Sequence, residues 1–272
     1  MPKSILITGA SSGIGKATAL FFAEKGWNVI ATMRNIRDAE DLAPVKNILI
    51  LPLDVTEMES IENAFTIGTE KFGKIDVLLN NAGYAQYGIF ESLSDKQIRN
   101  QFEVNVFGTI NVTKSVLPIF RTQGEGMIIN VTSGSGRFSV PLMSLYNASK
   151  FALEGFSESL AYELASQNIT VKIIEPGSTA SNFHHTLEES TVSHSAYNDY
   201  IQHLNSRMDI VRKNTSASSS VPDDIAATIF EAATDGTQTL RYVSGKDIQP
   251  IIDMRTSSSE EEYMRFMRNI FS

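Results

Sequence analysis

Short apolar runs separated by longer stretches of helical spacing set the rhythm of the chain as far as residue 175. Ile5-Leu6-Ile7 within Lys3 to Thr8, Asn28 to Thr32, Leu49 to Leu53, Ile75 to Leu79, Met127 to Thr132 and Ile169 to Ile174 read as strands. The segments between them read as helices. Ile14, Ala17, Leu20 and Phe21 recur at helical spacing before Lys25-Gly26, and Glu57 to Phe72 follows the third strand. Gln97 to Gln123 forms one long helix with a bend near Gly108, and residues 146–166 carry Phe151, Leu153, Phe156, Leu160 and Leu164. This alternation, without linker or internal repeat, predicts an α/β fold: one doubly wound parallel sheet between two helix layers, a single domain spanning residues 1–272. From Asn182 to Ser220 the pattern loosens, with an amphipathic stretch from Tyr197 to Val211 and a polar run from Asn214. A helix restarts near Pro222, Tyr242 to Val243 reads as an edge strand, and a last helix starts at Ser259 with a capping box to Glu262.

The first strand runs straight into Thr8-Gly9-Ala10-Ser11-Ser12-Gly13-Ile14-Gly15. Strand, glycine-rich turn, helix and strand make half of a Rossmann-type dinucleotide-binding unit. Its glycines allow a sharp turn, close approach of backbone to a pyrophosphate, and tight packing of helix on strand. The helix N-terminus offers unpaired N–H groups and the positive end of its dipole. A mononucleotide P-loop is excluded, because Lys16 is followed by Ala17 rather than Ser or Thr. NAD sites place an acid on the ribose 2′-hydroxyl about 20 residues past the glycines. Here that place reads Thr32-Met33-Arg34-Asn35, without an acid. An arginine pairs with a 2′-phosphate that a carboxylate would repel. NADP(H) is therefore expected over NAD(H), with Arg34 and either Ser11 or Ser12 on the phosphate.

Tyr146 and Lys150 lie one helical turn apart, thirteen residues after Ser133. A phenol has a reference pKa of about 10, and a neighbouring ammonium is expected to draw it toward neutrality. The Ser133 hydroxyl could then hold a substrate oxygen that Tyr146 protonates. Taken singly, each residue has a plainer reading: a buried Tyr with a bonded hydroxyl, a capping Ser, a surface Lys.

Together these residues resemble the short-chain dehydrogenase/reductase superfamily in its single-domain form, over residues 3 to about 183. Thr8 to Gly15 is similar to its cofactor loop, Asp54-Val55 to the pair that meets the adenine, and Asn80-Asn81-Ala82-Gly83 to the stretch closing the fourth strand. Asn105 matches the catalytic asparagine, Tyr146-Asn147-Ala148-Ser149-Lys150 the active-site motif, and Pro176-Gly177 the turn after the sixth strand. One departure is visible: the family's nicotinamide-binding threonine is replaced by Ser181, with Thr179 nearby, and either hydroxyl could serve. Ile30 to Arg34 and the long tail look most like a 17β-hydroxysteroid dehydrogenase-like group, whose substrates are diverse. The resemblance implies reversible hydride transfer between NADP(H) and a carbonyl or secondary alcohol, with a carbonyl (keto) reductase as the reading. It implies Asn105, Ser133, Tyr146 and Lys150 as catalytic residues, Asn105 steadying a water that relays protons to Lys150. The cofactor is expected on Gly9, Ser11, Ser12, Gly13, Ile14, Gly15, Arg34, Asp54, Val55, Asn81, Ala82, Gly83, Tyr146, Lys150, Pro176, Gly177, Thr179 and Ser181. Residues 182–220 would be a substrate lid and 221–272 a C-terminal extension, in a homodimer or homotetramer. The apolar positions of the long helices could equally be monomer core.

The pocket is expected along Tyr84 to Tyr87, Ser135 to Met143 and Ser178 to His185, apolar through Phe138, Val140, Leu142 and Met143. Arg137 either recognises an anionic group there or faces solvent. The 272 residues carry a net charge of −8, which argues against nucleic-acid or anionic-membrane surfaces. There is no cysteine, hence no disulfide, thiol nucleophile or thiolate metal site. Met1-Pro2-Lys3 enters the first strand too soon for a signal peptide, and no apolar run reaches membrane-spanning length, so cytoplasm is the expectation. His184, His185, His194 and His203 fit no metal-ligand spacing, and no metal is expected. The competing function is a non-catalytic NADP(H)-binding sensor or scaffold on the same fold, which would dispense with the Tyr or the Lys. Enoyl reduction and sugar epimerisation are disfavoured by the short Tyr–Lys spacing and by the absence of a larger C-terminal domain.

Overall fold

Alternate side chains of each apolar run point to opposite faces, and both faces are covered. In the first strand, β1 (Ser4–Thr8), Ile5 and Ile7 enter one core cluster while Leu6 enters the other. The computed structural model describes residues 2–39, 41–179, 194–215 and 220–271, with residues 211–215 as backbone only. Its further strands are β2 (Asn28–Met33), β3 (Ile48–Pro52), β4 (Val77–Asn80), β5 (Gly126–Val131), β6 (Ile169–Pro176) and β7 (Arg241–Ser244). They form one seven-stranded sheet, ordered β3-β2-β1-β4-β5-β6-β7, and every pairing is parallel.

Helices α1 (Gly13–Glu24) and α7 (Pro222–Thr234) cover one face. Phe22 of α1, Trp27 in the turn after it and Phe230 of α7 meet edge-on, with ring centroids 5.1 to 6.2 Å apart. Trp27 thus packs where the first helix meets the second strand, as its place in the sequence suggests. Helices α2 (Met58–Phe72), α4 (Thr109–Gln123) and α5 (Ser144–Ala165) cover the other face through Phe65, Val112, Phe120, Leu160 and their neighbours.

The expected single helix from residue 97 to 123 is in fact three pieces. It starts at Asp95 as α3 (Asp95–Phe102), because Ser94 and Gln97 close a capping box. A π-helical segment, Glu103–Gly108, joins α3 to α4. Gly108 ends this segment in helical conformation, and a Cβ on it would stand 2.5 Å from Val55 Cγ2, so only a glycine lets the helix lie against the segment after β3.

Helix α6 (Asn198–Thr215) takes in the predicted amphipathic stretch except its first residue, Tyr197, which lies in the short 3₁₀ turn before it. The C-terminal stretch supplies the helix expected near Pro222, α7, and the edge strand β7 around Tyr242 to Val243. It also contains α8 (Gln249–Ser257), which the sequence reading missed, and α9 (Glu260–Phe271), capped by Ser259 and Glu262. Phe138, Ile248, Ile252, Tyr263 and Met267 form a third, smaller cluster joining α8 and α9 to the turn after β5.

Candidate active site

The sheet order reverses between β1 and β4, and in open α/β sheets ligands bind beside such a reversal, at the carboxyl ends of the strands. The glycine turn lies on this edge. Gly9 and Gly13 take φ of +69° and +53°, which L side chains rarely adopt. A Cβ on Gly15 would stand 2.2 Å from Gly9 O, so the loop closes only without a side chain there. Thr8 and Asn81 hold the loop in place. Thr8 Oγ1 accepts from the N–H groups of Asn81 and Ala82, at 3.0 and 3.1 Å. Asn81 Nδ2 donates to Thr8 O and Gly9 O, both at 3.0 Å. The Asn81 side chain is therefore a brace for the loop.

Other expected cofactor residues line the same edge. Asp54 follows β3, and its Oδ1 accepts from Thr56 N and Oγ1 at 2.9 and 2.7 Å. Arg34 is exposed directly after β2 and makes no hydrogen bond or ion pair with the described residues. Lys16 pairs with Asp41 nearby, and Asn35 Nδ2 donates to Asp38 Oδ1 at 3.0 Å. Ser12 stands before α1 without a side-chain capping bond, which leaves its hydroxyl and the helix N-terminus open to a phosphate. Pro176 ends β6, and Thr179 Oγ1 donates to Gly177 O at 3.0 Å. Ser181, His184 and His185 lie outside the described residues. Glycines that a Cβ would jam, a braced turn and an uncommitted cation past β2 fit a dinucleotide phosphate.

Tyr146 and Lys150 lie on α5 facing the end of β5, 8% and 6% exposed. Lys150 Nζ donates to Val131 O at 2.9 Å and stands 5.6 Å from the centre of the Tyr146 ring. The Tyr146 and Ser133 hydroxyls are hydrogen-bonded. Ser133 also accepts from Ser135 N at 3.1 Å, which starts the turn after β5. Here the expected electrostatics need correction. Burial pushes the phenol up to about 12, and only its bond to Ser133 draws it back. The same burial brings the Lys150 ammonium down to about 8, against the pull of Glu154. Desolvation outweighs the tyrosine–lysine attraction because both side chains are almost wholly out of water.

Asn105 sits in the π segment, 1% exposed. Its Nδ2 donates to Tyr84 O and Ser149 Oγ at 2.9 and 3.1 Å, and its Oδ1 accepts from Tyr84 N at 3.0 Å. Ser149 Oγ in turn donates to Tyr146 O at 2.8 Å. The amide thus ties the segment after β4 to α5.

The expected pocket wall contains Leu142, bulky yet at φ 61°, whose carbonyl accepts from Gly88 N at 2.9 Å. Neither alternative for Arg137 is what the structure shows: its guanidinium pairs with the buried Glu175 at 2.8 Å. His194 Nδ1 accepts from Ala196 N, and His203 is exposed.

The short chain dehydrogenase family model matches residues 3–191, more than half of the chain. This protein belongs to the short-chain dehydrogenase family. An uncharacterized oxidoreductase of Schizosaccharomyces pombe is 41% identical over 233 residues, covering 85% of this chain and 96% of that protein. The crystal structure of a short-chain dehydrogenase from Streptomyces avermitilis superposes with a TM-score of 0.82 at 31% identity, over 98% of this chain and 97% of that one. A 3-ketoacyl-(acyl-carrier-protein) reductase from Brucella melitensis, complexed with NADH, gives 0.76 at 26% identity over 90% of this chain and 98% of its own. ElxO with NADP bound gives 0.74 at 25% identity, again over 90% and 98%. In this short-chain dehydrogenase, then, the fold and the oxidoreductase class follow from family membership. Among the described residues, no helix is long and apolar enough to cross a membrane.

Proposed function

We propose that the protein is an NADP(H)-dependent carbonyl reductase working through Tyr146, Ser133 and Lys150. The observation that carries this reading is the hydroxyl pair Tyr146–Ser133, with the Lys150 ammonium beneath the ring, beside a braced glycine turn. The nicotinamide dinucleotide, when bound, supplies or accepts the hydride. The chain's own part is to hold and to move protons. Ser133 donates to the substrate carbonyl oxygen and fixes its direction. Tyr146 then releases its proton to that oxygen, a transfer typically contributing roughly 10²–10⁴ in rate. Lys150 balances the phenolate left behind, and its remaining N–H groups would meet the ribose hydroxyls of the cofactor. Asn105 Oδ1 accepts one N–H, and its second lone pair would steady a relay water.

The glycine turn and the α1 N-terminus would take the pyrophosphate, Asp54 and Val55 the adenine side, and Pro176, Gly177 and Thr179 the nicotinamide side. Arg34 would take the 2′-phosphate. Solved relatives are found with both dinucleotides, so the preference rests on Arg34 and the missing acid. A screen of aldehydes, ketones and secondary alcohols with NADPH and NADH tests the whole reading. NADPH consumption is expected on carbonyl substrates, with Tyr146→Phe losing turnover and keeping NADPH affinity. Turnover retained by Tyr146→Phe refutes the assignment, and a clear preference for NADH refutes the role of Arg34.

A further inference from the structure

Glu154 stands one turn beyond Lys150 on α5, 5% exposed, and takes no part in the steps above. Thr132 Oγ1 donates to its Oε1 at 2.6 Å, and Arg241 Nε from β7 donates to its Oε2 at 2.9 Å. With a donor on each oxygen, the group is placed as an ionised carboxylate. Thr132 occupies a particular position: it lies between Val131, whose carbonyl takes Lys150, and Ser133, whose hydroxyl meets Tyr146. Its own N–H donates to Ile174 O at 2.8 Å, and its hydroxyl, 2.6 Å from Glu154, also lies 3.1 Å from that carbonyl, so the shorter contact is the one to Glu154. Glu154 thus grips the residue between the two strand-end contacts on which the site depends. Gly136 makes room for this grip, since a Cβ there would lie 2.9 Å from Glu154 Cγ.

The charged groups facing this carboxylate come from several elements. Lys150 and Glu158 share its helix, Glu175 comes from β6, Arg241 from β7 and Arg137 from the turn after β5. Arg241 reaches Glu158 at 2.5 Å, and its Nε lies 3.5 Å from Glu175 Oε1, which also pairs with Arg137. Burial pushes the Glu154 carboxyl up, while the Thr132 bond and Arg241 hold it down against the charge of Glu175.

We propose that Glu154 is a positioning residue: fixed by Arg241, it anchors Thr132 and so sets the strand end on which the Lys150 ammonium and the Ser133 hydroxyl take their places. This rests on the reductase reading of the same site. It also makes β7, 87 residues away in sequence at Arg241, part of what shapes the chemistry.

Glu154→Gln keeps the size of the side chain and removes its charge, so Lys150 should lose its proton at lower pH. The alkaline limb of kcat for carbonyl reduction is expected to move toward acid by about half a pH unit or more. Thr132→Val should lower kcat about tenfold at unchanged KM for NADPH, and Thr132→Ser should restore it to within about twofold, because only the serine keeps a hydroxyl for Glu154. An unmoved limb in Glu154→Gln, or wild-type kcat in Thr132→Val, overturns the proposal. Should Glu154→Gln fail to fold, the Thr132 pair decides alone. Tyr146→Phe assayed alongside separates the two levels. Turnover retained there sinks the reductase reading, whereas turnover lost there with an unmoved limb in Glu154→Gln sinks only the positioning role.

Discussion

At Lys150, burial and chemistry leave a mark on stability that can be measured without any substrate. Its pKa falls from 10.5 to about 8. Between those values the unfolded chain binds a proton that the folded chain does not, so stability rises with pH across that window. Below about 8 both states are protonated and the full penalty of the buried charge stands. Tyr146 acts in the opposite sense, because its folded pKa lies above the unfolded one, and it erodes stability from about pH 10 toward 12. Denaturant unfolding from pH 7 to 10 should therefore show a rise in the wild type, worth up to about 3 kcal/mol, that is missing in Lys150→Met. A rise that persists in the variant would mean that Lys150 is better solvated than its surroundings indicate. The sequence makes the Tyr146–Lys150 pair conspicuous, since one helical turn puts both on one face. It does not reveal that desolvation dominates there, because burial depends on β5 and on a turn that periodicity does not place.

At the level of elements, the π segment and the turn after β5 hold two expected catalytic residues in contrasting ways. Asn105 is bonded on both sides of its amide, and removing it leaves Tyr84 N without its acceptor, while Tyr84 O keeps Gln101 Nε2 at 2.9 Å. Ser133 caps a short turn through one bond to Ser135 N. Asn105→Ala is thus expected to lower both stability, by about 2–4 kcal/mol, and activity. Ser133→Ala should cost only about 1 kcal/mol of stability while cutting turnover by roughly a hundredfold or more. Chemical unfolding and initial rates on the same preparations check the contrast, and equal stability losses would contradict it. The strands were legible in the sequence because apolar runs buried on both faces have few other readings. Helix α8 was not, since Gln249-Pro250 reads as a break when it is in fact a first turn. Gly108 was visible as a glycine, but the close packing on Val55 that requires it is tertiary. The Glu154–Arg241 pair was invisible for the same reason: nothing local marks partners so distant along the chain.

For the molecule as a whole, Phe107, Phe151 and Tyr162 are 52%, 41% and 74% exposed on the π segment and α5. Scattered exposed aromatics are ordinary, but three along one pair of helices support the homodimer or homotetramer expected of the chain. Sedimentation should give two or four times the 30.0 kDa of one chain, reduced by Phe151→Glu combined with Tyr162→Glu. A single-chain mass for the wild type would end that reading. The brace on the glycine turn also has a consequence for how the chain comes into being. Thr8 and Gly9 receive their bonds from Asn81 and Ala82, more than seventy residues later. A ribosome that has released only the first strand, helix and second strand has made a phosphate turn with nothing to lock it. Dinucleotide capture by a nascent polypeptide should therefore begin only once the stretch through residue 82 has left the exit tunnel and docked beside the first strand.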